Sequence, residues 1–350
     1  MCVSKDFTGG NIRILKRVAN IFSLNNELRD SKDDWFYWAF CLNGLKGETY
    51  KFIFPENRIG YFGPAVSHDL INWEWLGKCD DDNTFSYTIK ENENKIYFAH
   101  SMLYHPERFL CFAKKKGLAV KELCKSKKGR SVPFTEFGIG KKTVLLTARH
   151  HACESSGSYV LEGVINKLLS APLKDSKVIV IPFVDFDGVV DGDQGKGRIP
   201  HDHNRDYDLN LPAIYPETNA IRKLASGGID YAFDFHSPWH KGGENDNVFI
   251  VEKRHEKLKD YNRFGKLLEK HNSENSLKYS IENNLAPDVS WNSSKTKCFA
   301  TFANDYGSAR LSFSLECTYF GKNENVFLPQ KAIEFGRCFA DALNEFDNAE

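Results

Sequence analysis

The pattern of apolar residues changes near residue 115, and this change constrains the fold more than any other feature of the sequence. Before it, short apolar and aromatic runs alternate with turn signals such as Asn43-Gly44 and Pro55-Glu56-Asn57. Short strands at this spacing are typical of an antiparallel sandwich or jelly roll. We therefore predict a β-sandwich domain over residues 1–116. Its predicted strands are Trp35–Cys41, Tyr50–Phe54, Ile59–Val66, Asn72–Leu76, Phe85–Ile89, Lys95–Tyr104 and Phe109–Phe112.

After the change, strand-like runs alternate with helical patterns. Lys177–Val184 is a continuous apolar run, which is expected of a strand buried on both faces, and Ser158–Leu169 carries apolar residues at helical spacing. The alternation predicts an α/β domain over 117–350, with a mixed or largely parallel sheet flanked by helices. The other predicted strands are Lys142–Ala148, Ile229–Phe235, Asn247–Val251 and Arg310–Thr318, and the other helices are Pro216–Leu224, Lys257–His271, Pro329–Phe346 and a short Ala119–Cys124.

Composition excludes several classes of function. Lys+Arg and Asp+Glu both number 47, a balance that argues against nucleic-acid binding and against a polybasic membrane anchor. The apolar runs are far shorter than the roughly 20 residues of a membrane helix. The nine cysteines are scattered without a C-x-x-C pair, which favours reduced thiols in a cytoplasmic protein. Residues 1–6 have no apolar core that could act as a signal peptide, so we expect a cytoplasmic protein, whereas a leader trimmed before Cys2 would imply an exported or lipid-anchored one.

Ligands bind at the carboxyl ends of the strands in open α/β sheets, so the residues after each predicted strand are candidates for chemistry. His151 and Glu154 follow Lys142–Ala148, and an imidazole and a carboxylate at this spacing can converge on one zinc ion. The spacing alone also fits a capping glutamate beside a surface histidine. His236 follows the strand that ends at Phe235 and could complete a two-histidine, one-glutamate set. It could equally be a core histidine with satisfied hydrogen bonds.

Two further places carry polar groups with a defined use. Asn204 and Arg205 offer an amide beside a guanidinium, a pairing that can hold a carboxylate by charge-assisted hydrogen bonds. Glu316 interrupts a strand that is otherwise suited to burial. Because unpaired glutamates are rarely buried, it indicates either a partner such as a metal-bound water or an edge strand with one wet face.

Five motifs occur together in one order. They are Ala148-Arg149-His150-His151-Ala152-Cys153-Glu154-Ser155, Asp187-Gly188-Val189, Asp202-His203-Asn204-Arg205, Phe233-Asp234-Phe235-His236 and Ser312-Phe313-Ser314-Leu315-Glu316. In order and separation this set resembles the zinc carboxypeptidase family, most closely its cytosolic carboxypeptidase-like branch, over about residues 125–345. The aromatic sandwich that precedes it resembles the same branch.

The resemblance implies a role for each matching residue. It implies one zinc ion per chain, held by His151, Glu154 and His236, with Asp202 orienting the first of these histidines. Glu316 is implied as the general base that activates the zinc-bound water and then protonates the leaving amine.

The resemblance also implies how substrate is held. Asn204 and Arg205 are implied as the clamp on the terminal carboxylate of the substrate. Arg198 is implied as an electrophilic helper for the developing oxyanion, although it lies closer to Asn204 than the family spacing leads us to expect. The family's mobile tyrosine has Tyr306 as its nearest counterpart, for which a packing role is the alternative.

The function that follows from the resemblance is zinc-dependent hydrolysis of the C-terminal amide bond of a peptide or protein tail. Its substrate partner is a peptide or protein C-terminus, and neither nucleic acid nor membrane is expected. One alternative is a zinc deacylase or amidase on N-acyl amino acids or cell-wall peptides. Another is a non-catalytic homologue that binds carboxylates, and a third is a carbohydrate-binding sandwich that uses Trp73 and Trp75. The sequence predicts no oligomeric state.

Overall fold

The computed structural model describes residues 2–79, 81 and 83–348, which form three β-sheets and the helices around them. The strands are β1 (Val3–Ser4), β2 (Arg13–Val18), β3 (Ile21–Asn25), β4 (Ala39–Leu42), β5 (Thr49–Ile53), β6 (Ala65–Ser67), β7 (Glu74–Trp75), β8 (Thr84–Thr88), β9 (Ile96–Ala99), β10 (Val120–Lys125), β11 (Ser131–Phe137), β12 (Lys142–Ala148), β13 (Ser176–Ile181), β14 (Tyr231–His236), β15 (Phe249–Val251) and β16 (Leu311–Glu316). The helices are α1 (Pro106–Lys115), α2 (Ser155–Ser170), α3 (Phe186–Asp191), α4 (Pro216–Leu224), α5 (Leu258–His271), α6 (Phe299–Asp305) and α7 (Pro329–Asn348).

The first half of the chain is a sandwich of two sheets, with strand orders β1-β4-β9-β6-β7 and β2-β3-β5-β8. Successive side chains of a strand point to opposite faces, and β4 shows the consequence. Phe40 and Leu42 lie in the aromatic core between the two sheets, whereas Ala39 and Cys41 lie in the core shared with the second half. The predicted sandwich is confirmed, and its pairing is antiparallel except between β3 and β5.

The second half is built on a seven-stranded sheet of order β10-β11-β13-β12-β14-β16-β15. Strands β13, β12, β14 and β16 run parallel to one another. On one side β11 pairs antiparallel with β13 and β10 pairs antiparallel with β11, and on the other side β15 pairs antiparallel with β16. Val144 and Leu146 of β12 face a core that includes α2, α5 and α7, while Leu145 faces a core that includes α4 and α6. The predicted mixed sheet flanked by helices is confirmed, and four parallel strand ends come together at one edge.

Two segments are predicted with the wrong type of regular structure. Phe109–Phe112, predicted as a strand, lies in α1, where Pro106 occupies the first turn and Phe109 and Ala113 are buried one helical turn apart. Ala119–Cys124, predicted as a short helix, lies largely in β10, which pairs antiparallel with the unpredicted β11. Burial and pairing against distant segments decide both cases, and neither is encoded in the local pattern.

The predicted division at 116/117 falls between α1 and β10 and stays a prediction, because α1 itself packs on the second half through Phe109 and Phe183. Trp73 lies in the core shared by the two halves, and the Trp75 indole donates to the Phe327 carbonyl oxygen at 2.9 Å. Both tryptophans therefore have a packing role. Within the described residues, no helix is both long and apolar enough to cross a membrane.

Candidate active site

Three neighbouring parallel strands end at the same edge of the sheet, and their ends carry most of the predicted site residues. Strand β12 is followed by the turn that holds His151 and Glu154, β14 ends at His236, and β16 ends at Glu316. His236 and Glu316 are register partners in the β14–β16 pair. The backbone therefore brings the four side chains together without a long loop.

Hydrogen bonds from the buried Arg149 side chain hold the turn after β12. Arg149 adopts a positive φ of 63°, and its guanidinium donates to the carbonyl oxygens of Tyr104, at 3.0 Å, and Ala152, at 2.8 Å. Helix α2 then begins at Ser155, with Glu154 at its N-cap position. This turn presents His151 and Glu154 to the strand ends on one side of the sheet edge.

His151, Glu154 and His236 form one buried donor cluster. The Glu154 carboxylate lies between the two imidazoles, with Oε1 at 2.8 Å from His151 Nδ1 and Oε2 at 2.6 Å from His236 Nδ1. One ligand atom from each residue lies within 4.8 Å of the others, and all three residues are buried. Burial opposes the charge on Glu154, but His151, Lys196 and His236 together hold its pKa well below the usual range.

These residues fit a zinc ion. Two imidazole nitrogens and one carboxylate are a ligand set of catalytic zinc sites, which leave a further position for water or substrate. Glu316 Oε2, beside these donors, is one of the buried polar atoms that have no hydrogen-bond partner within the described residues. An unpartnered buried oxygen next to convergent donors indicates a site that an ion and its bound water complete.

A second group, His150, Asp234 and His236, also has ligand atoms within 4.8 Å of one another. Its atoms already have protein partners: the Asp234 carboxylate lies 2.8 Å from His150 Nδ1 and 2.5 Å from His236 Nε2, and His150 Nε2 lies 2.8 Å from the Tyr207 hydroxyl. Burial acts to raise the pKa of Asp234, but the two histidines bring it well below the usual range. This group is therefore better suited to orienting His236 than to holding an ion of its own.

Asp202 and Glu316 flank the donor cluster. Asp202 Oδ1 lies 3.6 Å from His151 Nε2, on the side of the ring away from Glu154. Burial acts to raise the pKa of Asp202, but His151 and Arg205 bring it far below the usual value. For Glu316, burial is the largest effect and raises the pKa, and the negative charge of Glu154 adds to the rise.

The predicted carboxylate clamp lies beside the same cluster. Asn204 is buried: its Nδ2 lies 3.1 Å from His236 Nε2, and its Oδ1 accepts from the Phe299 backbone N–H at 3.0 Å. Arg205 lies in the same short 3₁₀ turn and is an exposed residue. One cavity is lined by both residues together with His151, His236 and Glu316.

Sequence comparison gives two kinds of relative, while no family model matches the chain. An uncharacterized protein of Zymomonas mobilis, ZMO1242, is 23% identical over 255 residues, which cover 67% of each chain. Cytosolic carboxypeptidase 2 of Xenopus tropicalis is 24% identical over 301 residues, covering 70% of this chain and 31% of that protein. The chain thus spans about a third of the length of the cytosolic carboxypeptidases it matches.

Solved structures agree in fold over nearly the whole chain. A metallo-carboxypeptidase from Burkholderia cenocepacia superimposes with a TM-score of 0.79 at 17% identity, covering 98% of both chains. One from Pseudomonas aeruginosa, in complex with (2-guanidinoethylmercapto)succinic acid, gives 0.77 at 15% identity over 99% of this chain and 98% of that one.

The chain is similar in sequence to cytosolic carboxypeptidases and has the fold of metallo-carboxypeptidases. The predicted family and enzyme class, a metallocarboxypeptidase-type hydrolase, agree with these relatives.

Arg198 is not brought to the cavity of this carboxypeptidase-like chain. Its guanidinium pairs with Asp30, with Asp185 at 2.8 Å and with Asp193 at 3.4 Å, and it lines a neighbouring cavity instead. Burial acts to lower the pKa of Arg198, but Asp185 and Asp30 raise it above the usual value. Tyr306 is also not brought to the cavity: it ends α6, stacks on Phe302 and is half exposed.

Five polar or aromatic residues for which the sequence predicted no role also line this cavity. They are Lys196, Lys253, Trp291, Cys298 and Ser314. Ser314 could have been found, since it lies two residues before Glu316 and so faces the same side of the strand. Lys196 is marked by the glycines on both sides of it. The other three reach the cavity from segments that carry no motif.

Proposed function

We propose that this protein is a zinc-dependent carboxypeptidase that hydrolyses the amide bond next to the free C-terminus of a peptide or protein tail. The observation that supports it is the convergence of three groups of side chains on one cavity. They are the donor cluster, Glu316, and the Asn204–Arg205 pair. A carboxypeptidase needs all three: a metal, a proton carrier, and a partner for a terminal carboxylate.

The zinc ion, held by His151, Glu154 and His236, would polarise the scissile carbonyl and acidify the attacking water. The Asp202 carboxylate near His151 Nε2 and the Asp234 carboxylate at His236 Nε2 would fix the two rings with each Nδ1 toward Glu154, the third residue that would hold the ion.

Glu316 would carry the proton. Its carboxylate is the register neighbour of His236, and Oε2 has no hydrogen-bond partner in the described part of the chain. It would take a proton from the attacking water and deliver it to the leaving nitrogen. Burial raises the pKa of Glu316, and this direction favours both roles, because a general acid–base group works best with a pKa near the operating pH.

Asn204 and Arg205 would hold the terminal carboxylate. A guanidinium and an amide can together donate several hydrogen bonds to it, and the charge-assisted ones are the strongest. Holding the terminus at a fixed distance from the donor cluster converts binding into orientation of the scissile bond.

The proposal is tested with a library of peptides that vary in the last residue, each made with a free and with an amidated C-terminus. We expect chelator-sensitive release of the last residue from the free peptides and little from the amidated ones. Equal turnover of both forms would reject an exopeptidase. Turnover confined to N-acyl amino acids or cell-wall peptides would support the deacylase alternative. Tight binding of free termini without turnover would support a non-catalytic carboxylate-binding protein, although this chain retains Glu316 and all three donors.

A further inference from the structure

We propose that Lys196 is a catalytic residue, which donates a hydrogen bond to the oxygen of the scissile carbonyl as that oxygen gains negative charge. The inference rests on the proposed carboxypeptidase function, and assigns to a lysine the role that the sequence resemblance gave to Arg198.

The position of Lys196 is the first support. Its ammonium Nζ lies 3.3 Å from Glu154 Oε1 and 3.4 Å from His151 Nδ1, and the side chain lines the cavity together with Glu316 and Arg205. A substrate carbonyl that comes within reach of the donor cluster and of Glu316 must also come within reach of this ammonium. The Trp35 ring lies on another side, with Nζ 5.1 Å from its centroid.

The backbone next to Lys196 packs closely against the turn that holds His151 and Glu154. Gly195 has a φ of +73°, and a Cβ on it would stand 2.1 Å from the Ala152 backbone nitrogen. No other residue type fits there without moving the turn that holds His151 and Glu154. Its N–H donates to Asp30 Oδ2 at 3.1 Å, which ties the loop to the first half of the chain.

The residue before this glycine anchors the loop from both sides. The Gln194 amide donates to the Tyr37 carbonyl oxygen at 2.9 Å, and the Gln194 carbonyl oxygen accepts from the Cys153 N–H at 3.3 Å. The sandwich and the turn that holds His151 and Glu154 thus fix the backbone of Lys196. Its long side chain extends from this fixed point into the cavity.

The competing cations have other partners. Arg198 neutralises Asp30, Asp185 and Asp193, and Asp185 is buried, so turning the guanidinium toward the cavity would leave a buried carboxylate without its charge partner. Lys253 lines the cavity, but its Nζ donates to Asn292 Oδ1 at 2.6 Å, and Arg205 is the cation proposed for the terminal carboxylate. The partners of Lys196 Nζ are Glu154 and His151 of the donor cluster itself, so Lys196 is the cavity cation placed next to the scissile carbonyl.

The step balances without a proton leaving Lys196. The water oxygen adds to the carbonyl carbon while Glu316 takes the water proton, and the carbonyl π pair moves onto oxygen, where the ammonium donates to it. The pair on oxygen then returns to re-form the C=O bond, and the C–N bond breaks. The leaving nitrogen keeps the C–N bonding pair and takes the proton from Glu316. One water is consumed, and an acid and an amine are formed. Since the ammonium only donates, an arginine could retain part of the effect.

The test compares Lys196→Met, Lys196→Arg and a matched control, Lys167→Met, in which the lost lysine pairs with Asp341 on the helical side of the domain. For each, kcat and KM are measured on the best peptide of the library, zinc content by elemental analysis, and affinity for two probes by calorimetry. One probe is the free amino acid product. The other is a peptide analogue with a phosphonate in place of the scissile amide, whose tetrahedral oxygens imitate the charged oxygen.

Loss of one oxyanion donor typically lowers kcat by about 10²–10³-fold. We expect a loss of that order for Lys196→Met, partial recovery in Lys196→Arg, and a loss of phosphonate affinity of at least about tenfold, with product affinity and zinc content retained. Unchanged kcat or phosphonate affinity in Lys196→Met would overturn the inference while leaving the carboxypeptidase proposal intact. Loss of zinc with activity restored by excess zinc would also overturn it, because Lys196 would then serve the metal site. A native protein that neither hydrolyses peptides nor binds the phosphonate would reject both proposals.

Discussion

His236 and Glu316 are the last paired residues of the neighbouring parallel strands β14 and β16, so their side chains leave the same face of the sheet side by side. One is a proposed zinc ligand and the other the proposed proton carrier. Their separation is therefore set by the spacing of hydrogen-bonded strands and not by a mobile loop. Preorganisation of this kind keeps the base in place whether or not substrate is bound.

This relationship predicts a clean separation of binding from catalysis in Glu316→Gln. The substitution keeps the shape of the side chain and removes the proton acceptor, while the three donors on β14 and the β12 turn are untouched. General acid–base help is commonly worth about 10²–10⁴-fold, so we expect kcat to fall by at least about a hundredfold with zinc content and KM near normal. If the variant loses zinc, Glu316 is a ligand; if activity persists, it is a structural residue of the strand.

Removal of a donor predicts loss of the ion. His151→Ala and His236→Ala each leave two of the three ligands, and elemental analysis should find about one zinc per chain in the native protein and little in either variant. His255→Ala is the matched control, because this exposed histidine pairs with Asp288 away from the donor cluster. Zinc retained in both donor variants would contradict the ligand set.

The sequence predicts the strand ends well, because buried parallel strands are marked by long apolar runs and the residues that follow them are polar. Lys142–Ala148 and Pro216–Leu224 are found with the predicted bounds. The strands β1 to β3 were not predicted, and β2 shows why: all six of its residues are exposed, so no alternation of apolar and polar residues marks it.

The site divides in the same way. His151, Glu154 and His236 are predicted because they follow strands and Glu316 because it interrupts one, and register brings them together. Arg198 and Lys196 lie two residues apart in one glycine-rich loop, and the sequence does not reveal which of the two faces the cavity. Asp30, a residue distant in sequence, decides it, because it pairs with the Arg198 guanidinium.

The clamp predicts a change in KM. Arg205→Ala removes the cation proposed for the terminal carboxylate, and a charge-assisted hydrogen bond is worth about 1.5–3 kcal/mol, so KM for free-terminus peptides should rise about 10–100-fold. Arg337→Ala, in which an exposed arginine loses its pairing with Glu334, is the control. Comparable losses on free and amidated peptides would show that Arg205 does not recognise the terminus.

The ion pairs of Arg198 predict a structural effect. Arg198→Gln leaves Asp185 buried next to Asp193 and Asp30 without the guanidinium, and breaking a buried pair costs about 3–5 kcal/mol. Urea denaturation should show a lower free energy of unfolding by this order. Adding Asp185→Asn to the variant should restore part of it. An unchanged unfolding midpoint in Arg198→Gln would mean that the three carboxylates do not depend on this residue.

Asp234 predicts an effect on the metal that acts through His236. Its carboxylate bridges His150 Nδ1 and His236 Nε2, so it holds the His236 ring with Nδ1 toward Glu154. The native carboxylate can accept a hydrogen bond from each ring through its two oxygens. In Asp234→Asn the amide has one neutral acceptor oxygen, so it can accept from only one of the two rings. Partners of this kind are typically worth about 10–100-fold in metal affinity.

Zinc affinity of Asp234→Asn, measured by competition with a chelator of known strength, should fall by that factor. His150→Gln, which leaves the contact between Asp234 and His236 in place, should lower zinc affinity less. Equal affinity in the native protein and Asp234→Asn would show that the His236 ring is held by its other neighbours, Glu154 and Asn204.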